Sequence, residues 1–230
     1  MYKIAAAALA ATLFTAGAAN AAEIFTVDFW GGSLGGPVST SADAADVPSR
    51  LPDASFTFTG PIDWFVGGPQ NTGPSGNLIG AFITPNGAIA NYSGTGAYAS
   101  QAAFLGASLS DSGDSYSAFF QITGQYVSAT TVSGNADHDD GASVYDYKGD
   151  AVLSSPGETS EIPGGFTLPA GFHTFTVDYV EGNGAPSVLD ITGVPGVPEP
   201  ATWAVMLGGF GAIGASMRRT RRLKAAAATA

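Results

Sequence analysis

From Glu23 to Thr192 no stretch sustains the apolar spacing of an amphipathic helix, and this narrows the available folds more than any other feature. What recurs is a short alternating or apolar run closed by Gly, Pro, Asn or Asp. Phe56 to Thr59 reads Phe-Thr-Phe-Thr, and His173 to Val180 reads His-Thr-Phe-Thr-Val-Asp-Tyr-Val, each the pattern of a strand with one buried face. Strands are expected at 24–30, 55–59, 78–83, 116–122, 126–132, 143–147, 173–180 and 187–191, with surface loops at 38–52 and 67–77. The expected fold class is all-β, a β-sandwich or jelly-roll-like body.

Charge is unevenly placed. Between Glu23 and Asp190 the chain carries 18 acidic residues against Arg50 and Lys148 alone, a net of −16 with histidine neutral. Such a surface repels phosphate backbones, so nucleic acid is not an expected partner. The chain has no cysteine, which excludes disulfides, thiolate metal sites and cysteine nucleophiles.

The two ends have a different character. Lys3, an apolar run from Ile4 to about Ala18, and Ala19-Asn20-Ala21 have the order of a secretory signal peptide, with signal peptidase as the expected partner and residues 1–21 removed. At the other end Pro198-Glu199-Pro200 interrupts any preceding strand. The 17 uncharged residues from Ala201 to Met217 would span ~25 Å as a helix, against a hydrocarbon core of ~30 Å. Arg218, Arg219, Arg221, Arg222 and Lys224 follow as a stop-transfer flank that holds this side in the cytoplasm.

The order Pro198, Glu199, Pro200, Trp203, Ala204, apolar helix, arginine cluster resembles the PEP-CTERM sorting signal in its Trp-Ala variant. That resemblance implies export, transient anchoring in the inner membrane, cleavage near Pro198-Glu199-Pro200 by an exosortase, and a final place at the cell surface or outside it. It also implies a link to exopolysaccharide and biofilm matrix. The expected organisation is a signal peptide at 1–21, a β-sandwich body at 22–192, a linker at 193–197, a sorting signal with its transmembrane helix at 198–223, and an Ala-rich tail at 224–230.

Within the body the most informative stretch is Ser133 to Val152. Asn135, Asp137, Asp139, Asp140 and Asp146 supply oxygens that would repel one another without a cation, which makes them the candidate Ca²⁺ ligands. An EF-hand is not expected, since Gly141 falls one position late and the flanks have strand character. Asp139-Asp140-Gly141, with Leu168 to His173 and Val177 to Glu181, is similar to the Asp-Asp-Gly hairpin of PA14-like β-sandwich domains. In sugar-binding members of that family the paired aspartates hold Ca²⁺, which holds sugar hydroxyls; Asp139 and Asp140 match the pair. The alternative is a turn in which Gly141 supplies a positive φ and an aspartate caps the backbone.

No catalytic constellation stands out. Gly31-Gly32-Ser33-Leu34-Gly35 has the nucleophile-elbow spacing, but Gly36-Pro37 follows where a helix is required. His173 shares a face with Phe175, Val177 and Tyr179, which suits a partly buried structural histidine, and His138 reads as a solvated loop residue or a minor metal ligand. Trp30 is expected in the core, whereas Trp64, between Pro61 and the Gly67-Gly68-Pro69 loop, is the candidate for stacking on sugar. The expected function is therefore a non-catalytic structural or adhesive protein of an extracellular polysaccharide matrix, with Ca²⁺ as its one candidate cofactor. The rival expectation is a secreted hydrolase acting on polysaccharide, which would need two carboxylates at glycosidase spacing.

Overall fold

The computed structural model describes residues 23–33, 40–67, 77–110, 116–182, 184–197, 209–211, 213, 214 and 218. The signal-peptide segment, the sorting residues Pro198, Glu199, Pro200, Trp203 and Ala204, and the flanking Arg219, Arg221 and Arg222 lie outside the described residues. Those from 209 onward, Arg218 among them, are helical and exposed. Among the described residues no helix is long and apolar enough to cross a membrane.

The body, Ala22–Val197, is a compact unit, and its described residues form eleven strands. They are β1 (Ile24–Ser33), β2 (Ala54–Thr59), β3 (Asp63–Val66), β4 (Ala88–Gly94), β5 (Tyr116–Ser128), β6 (Val132–Asp139), β7 (Gly141–Tyr145), β8 (Ala151–Ser155), β9 (Ile162–Leu168), β10 (Gly171–Glu181) and β11 (Ser187–Thr192). Seven form one sheet in the order β4-β2-β1-β5-β10-β7-β8, and four form the other in the order β3-β11-β6-β9. Every pairing is antiparallel.

Period-two patterning decides which side chains meet between the sheets. Phe25, Val27 and Phe29 of β1, Phe56 and Phe58 of β2, Phe120 and Ile122 of β5, and Phe175, Val177 and Tyr179 of β10 form the larger inner face. Trp64 and Val66 of β3, Leu189 and Ile191 of β11, Ala136 of β6, and Phe166 and Leu168 of β9 meet them from the smaller one. Four strands cannot cover seven, and two one-turn helices fill the shortfall. α1 (Ile79–Ile83) buries Ile79, Phe82 and Ile83, and α2 (Gln101–Leu105), capped by the Ser100 hydroxyl, buries Phe104 against Phe29 and Phe56.

The expected strand at 78–83 is thus a helix. Its buried residues recur at intervals of three and four, so one helical turn aims all three at the core, which an alternating strand could not do. The runs expected at 116–122 and 126–132 are largely a single strand, β5, running through Gly124. There the ring edges of Phe25 and Phe175 occupy the space a Cβ would take. Strands β3, β4, β6, β8 and β9 were not expected: β3 has four residues, β6 and β9 carry Gly, Asp or Pro where a strand would show apolar residues, and β4 and β8 have no buried positions.

The two tryptophans of the body anchor the packing. Trp30 lies on the outer face of the larger sheet with Phe119 and Val180, beneath the segment 40–53, where its indole N–H donates to the Arg50 carbonyl (3.0 Å). Trp64, expected at the surface, is 0% exposed and packs edge-on against Phe58, Phe82 and Phe120. Its place in β3 turns it inward with Val66 while Phe65 faces out, so it offers no face to a sugar. Trp64→Ala should lower unfolding free energy by about 3–5 kcal/mol in denaturant titrations, the cost of emptying a large core position.

Candidate functional site

The chain crosses from the smaller sheet to the larger between β6 and β7, and Asp139-Asp140 is that crossing. Val188 of β11 pairs with Asp139, and Val180 of β10 pairs with Gly141, so the two aspartates sit where the sheets converge. The Asp139–Asp140 peptide is cis. Gly141 does not take the positive φ that a turn would ask of it; it is a strand residue whose Cβ would lie 2.0 Å from the Pro156 carbonyl oxygen. The glycine is required by close backbone approach instead.

Both aspartates are largely buried, at 7% and 2% exposure. Asp140 Oδ2 accepts from the Gly182 N–H at 2.9 Å, and the buried His138 donates from Nδ1 to the Asp140 carbonyl. The Tyr179 hydroxyl donates to the Asp139 carbonyl and lies 3.0 Å from Glu181 Oε2. Ser110 donates to Glu181 Oε1 (3.1 Å) and accepts from the Gly184 N–H (3.1 Å).

Three carboxyls close to one another in a poorly solvated place cannot all stay charged. Burial first, and the Asp140 charge second, push Asp139 up to about 7. Burial and the same Asp140 charge push Glu181 up to about 9. Asp139 and Asp140 also line an open depression of about 440 Å³ with Glu158, Thr159, Ser160, Gly184, Ala185 and Pro186.

The five expected metal ligands do not converge. Only Asp139 and Asp140 meet at the crossing. Asp146 closes the turn from β7 to β8, where its Oδ1 accepts from the Lys148 and Asp150 N–H groups. Asn135 and Asp137 are hydrogen-bonded to each other (2.7 Å) on β6. Across the smaller sheet Asp137 pairs with Asp190, which pairs in turn with Asp63, a row of three aspartates on adjacent strands. Burial, and then the charges of Asp63 and Asp137, raise the Asp190 pKa above the ordinary aspartate value. Among the described residues no three His, Asp or Glu side chains are gathered so as to hold a metal ion. His138, expected as a solvated loop residue or a minor metal ligand, is 0% exposed because β6 turns it inward with Ala136. His173 is half-buried and stacks on Tyr147 (3.9 Å between centroids, 9° between planes). Ser110 joined the site without a sequence signal of its own; Tyr179 and Glu181 were marked only as part of the alternating run Val177 to Glu181 and of the PA14-like resemblance, with no role assigned to them.

Against this geometry, comparison with known proteins separates the tail from the body. Residues 196–222 match the model of the PEP-CTERM protein-sorting motif. The chain carries a PEP-CTERM sorting motif. Such a motif implies export, membrane-anchored transit and processing by an exosortase. No curated protein sequence matches the chain. Among solved structures the body is similar to the PA14 sugar-binding domain of an RTX adhesin, at 17% identity over 74% of this chain and 88% of that one, with a TM-score of 0.47. The PA14 domain of the MpAFP antifreeze protein is 14% identical over 75% and 86%, with a TM-score of 0.46. The A domain of epithelial adhesin 9 from Candida glabrata, solved with Galβ1-4GlcNAc, is 11% identical over 80% and 87%, with a TM-score of 0.44.

Two outcomes follow from the electrostatics. Asp139 and Glu181 bind protons more tightly folded than unfolded, so stability falls as pH rises above the unfolded carboxylate range. Thermal unfolding should show a midpoint that declines through pH 7 and on toward pH 9, the titration points of Asp139 and Glu181, with Asp139→Asn flattening the lower part and Glu181→Gln the upper. Asp190→Asn should stabilise the body by about 0.2–1 kcal/mol at neutral pH, by relieving like charges directly opposed across strands.

Proposed function

We propose that the chain is an exported surface protein whose body binds a hard divalent cation, Ca²⁺ in the first instance, through Asp139 and Asp140, and through that cation the hydroxyls of an extracellular glycan. Its role is adhesive and non-catalytic, within an exopolysaccharide matrix. The single observation that carries this reading is that two consecutive, largely buried aspartates line one open depression, with Asp139 held up to about 7. A group that holds a proton so near neutrality in an all-oxygen setting suits a cation that takes the proton's place. With Asn135, Asp137 and Asp146 elsewhere, the remaining oxygens would come from main-chain carbonyls, water and the glycan. Ca²⁺ supplies charge neutralisation and vacant coordination positions for paired hydroxyls; the chain's own part is to fix the two carboxyls and keep their surroundings poor in water.

The hydrolase alternative is less well supported. The acids of retaining and inverting glycosidases stand roughly 5–9.5 Å apart, with room for a sugar carbon or a water, whereas Asp139 and Asp140 are consecutive residues joined by one peptide, and the Asp140 charge raises Asp139.

Calorimetric titration of Ca²⁺ into residues 22–197 tests the reading. Binding should release protons and strengthen as pH rises through 7, the range in which Asp139 gives up its proton, and Asp139→Ala/Asp140→Ala should abolish it. A glycan array probed with Ca²⁺ and with chelator then asks whether retention depends on the cation. Absence of heat in the native protein, with the double variant merely less stable, would refute the cation site.

A further inference from the structure

The sequence Gly193-Val194-Pro195-Gly196-Val197 has the composition of a free linker, yet the structure lays it on the body. Leaving β11, the chain turns at Gly193 with φ +80°, pressed so closely on β6 that a Cβ there would stand 2.6 Å from the Ser133 carbonyl oxygen. Val194 packs against the hydrophobic core. Gly196 then forms an isolated antiparallel bridge with Tyr126 of β5. Val194 and Gly196 close over a small cleft of about 10 Å³ formed with Glu23, Phe25, Gln125 and Phe175.

Only Val197 separates that bridge from Pro198, where the Pro-Glu-Pro signature begins, and the bridge residue Gly196 is itself the first residue of the matched motif. An extended residue supplies about 3.3 Å of chain. An enzyme that cleaves near Pro198-Glu199-Pro200 must seat residues on both sides of the bond, and the chain on the body side is docked as far as Gly196. We propose that residues 193–197 are a docked strap that withholds the sorting motif from its processing enzyme, and that tail removal requires the strap to peel from Tyr126 while the sandwich stays folded. Access to the scissile bond, and not the chemistry of its cleavage, is what the strap controls. Peeling breaks one isolated bridge and exposes one valine, so it belongs to the low-energy local openings of a folded protein. The strap sets the rate of processing without forbidding it. This inference rests on the matched motif and is independent of cation or glycan binding.

The test uses the full chain in cells that hold an exosortase, with tail loss followed by mass after a pulse of synthesis. A flexible insertion of about eight Gly and Ser residues between Val197 and Pro198 lengthens the body side and leaves the motif, its apolar segment and the arginines unchanged. It should speed tail loss roughly threefold or more, in line with removal of a local opening step. Val194→Asp, which undocks the strap without lengthening it, should do the same. In the purified native chain the amides on either side of Pro195, those of residues 194 and 196, should exchange with solvent more slowly than in Val194→Asp. Native rates of tail loss from both variants, or equally fast exchange at residues 194 and 196 in the native chain and the variant, would overturn the proposal. Loss of Ca²⁺ or glycan binding would leave these rates untouched.

Discussion

Tyr179 joins the two halves of this molecule's physics. Its ring stacks on Phe82 at 5.7 Å and 19°, within the aromatic cluster that also holds Phe120 and Trp64. Its hydroxyl reaches out of that cluster to the Asp139 carbonyl and the Glu181 carboxyl. The aromatic contact fixes where β10 lies between the sheets, and the hydrogen bonds fix where β6 ends and β7 begins. Moving the ring would therefore move the paired carboxyls, so the site inherits its rigidity from the core.

The unequal sheets explain much of the rest. A seven-stranded face packed on a four-stranded one leaves apolar area that water would otherwise reach, and the protein covers it with short irregular pieces. α1, α2 and, on the outer face, the segment over Trp30 are too short to be stable alone, since one helical turn does not repay its nucleation. They hold because the aromatic side chains they bury supply the free energy. Carboxyls near such covers lose hydration, and the raised pKa values of Asp139, Asp178 and Glu181 are the electrostatic record of that burial.

The legibility of the sequence follows the same division. Strands with clean alternation, such as Phe56–Thr59 and His173–Val180, were readable because one face is core and the other is solvent. β6 was not, because Asn135, Asp137 and Asp139 mark what reads as a turn, and only the pairing of β6 between β9 and β11 supplies the ladder that makes it a strand. The acidic stretch 135–146 was recognisable as a place where carboxyls crowd. How they divide into an isolated pair, a row with Asp63 and Asp190, and a turn at Asp146 depends on strand register, which local spacing does not encode.

By itself the sequence determined the fold class, the absence of cysteine chemistry, the acidic body and the sorting tail, because alternation, composition and contiguous motifs are local properties of a chain. Tertiary structure alone decided that Trp64 is core, that Gly141 serves close approach, that Glu181 stands beneath the aspartate pair, and that residues 193–197 are docked. Each of these depends on what lies opposite in space, and in this sandwich the partners that decide them come from strands distant in sequence.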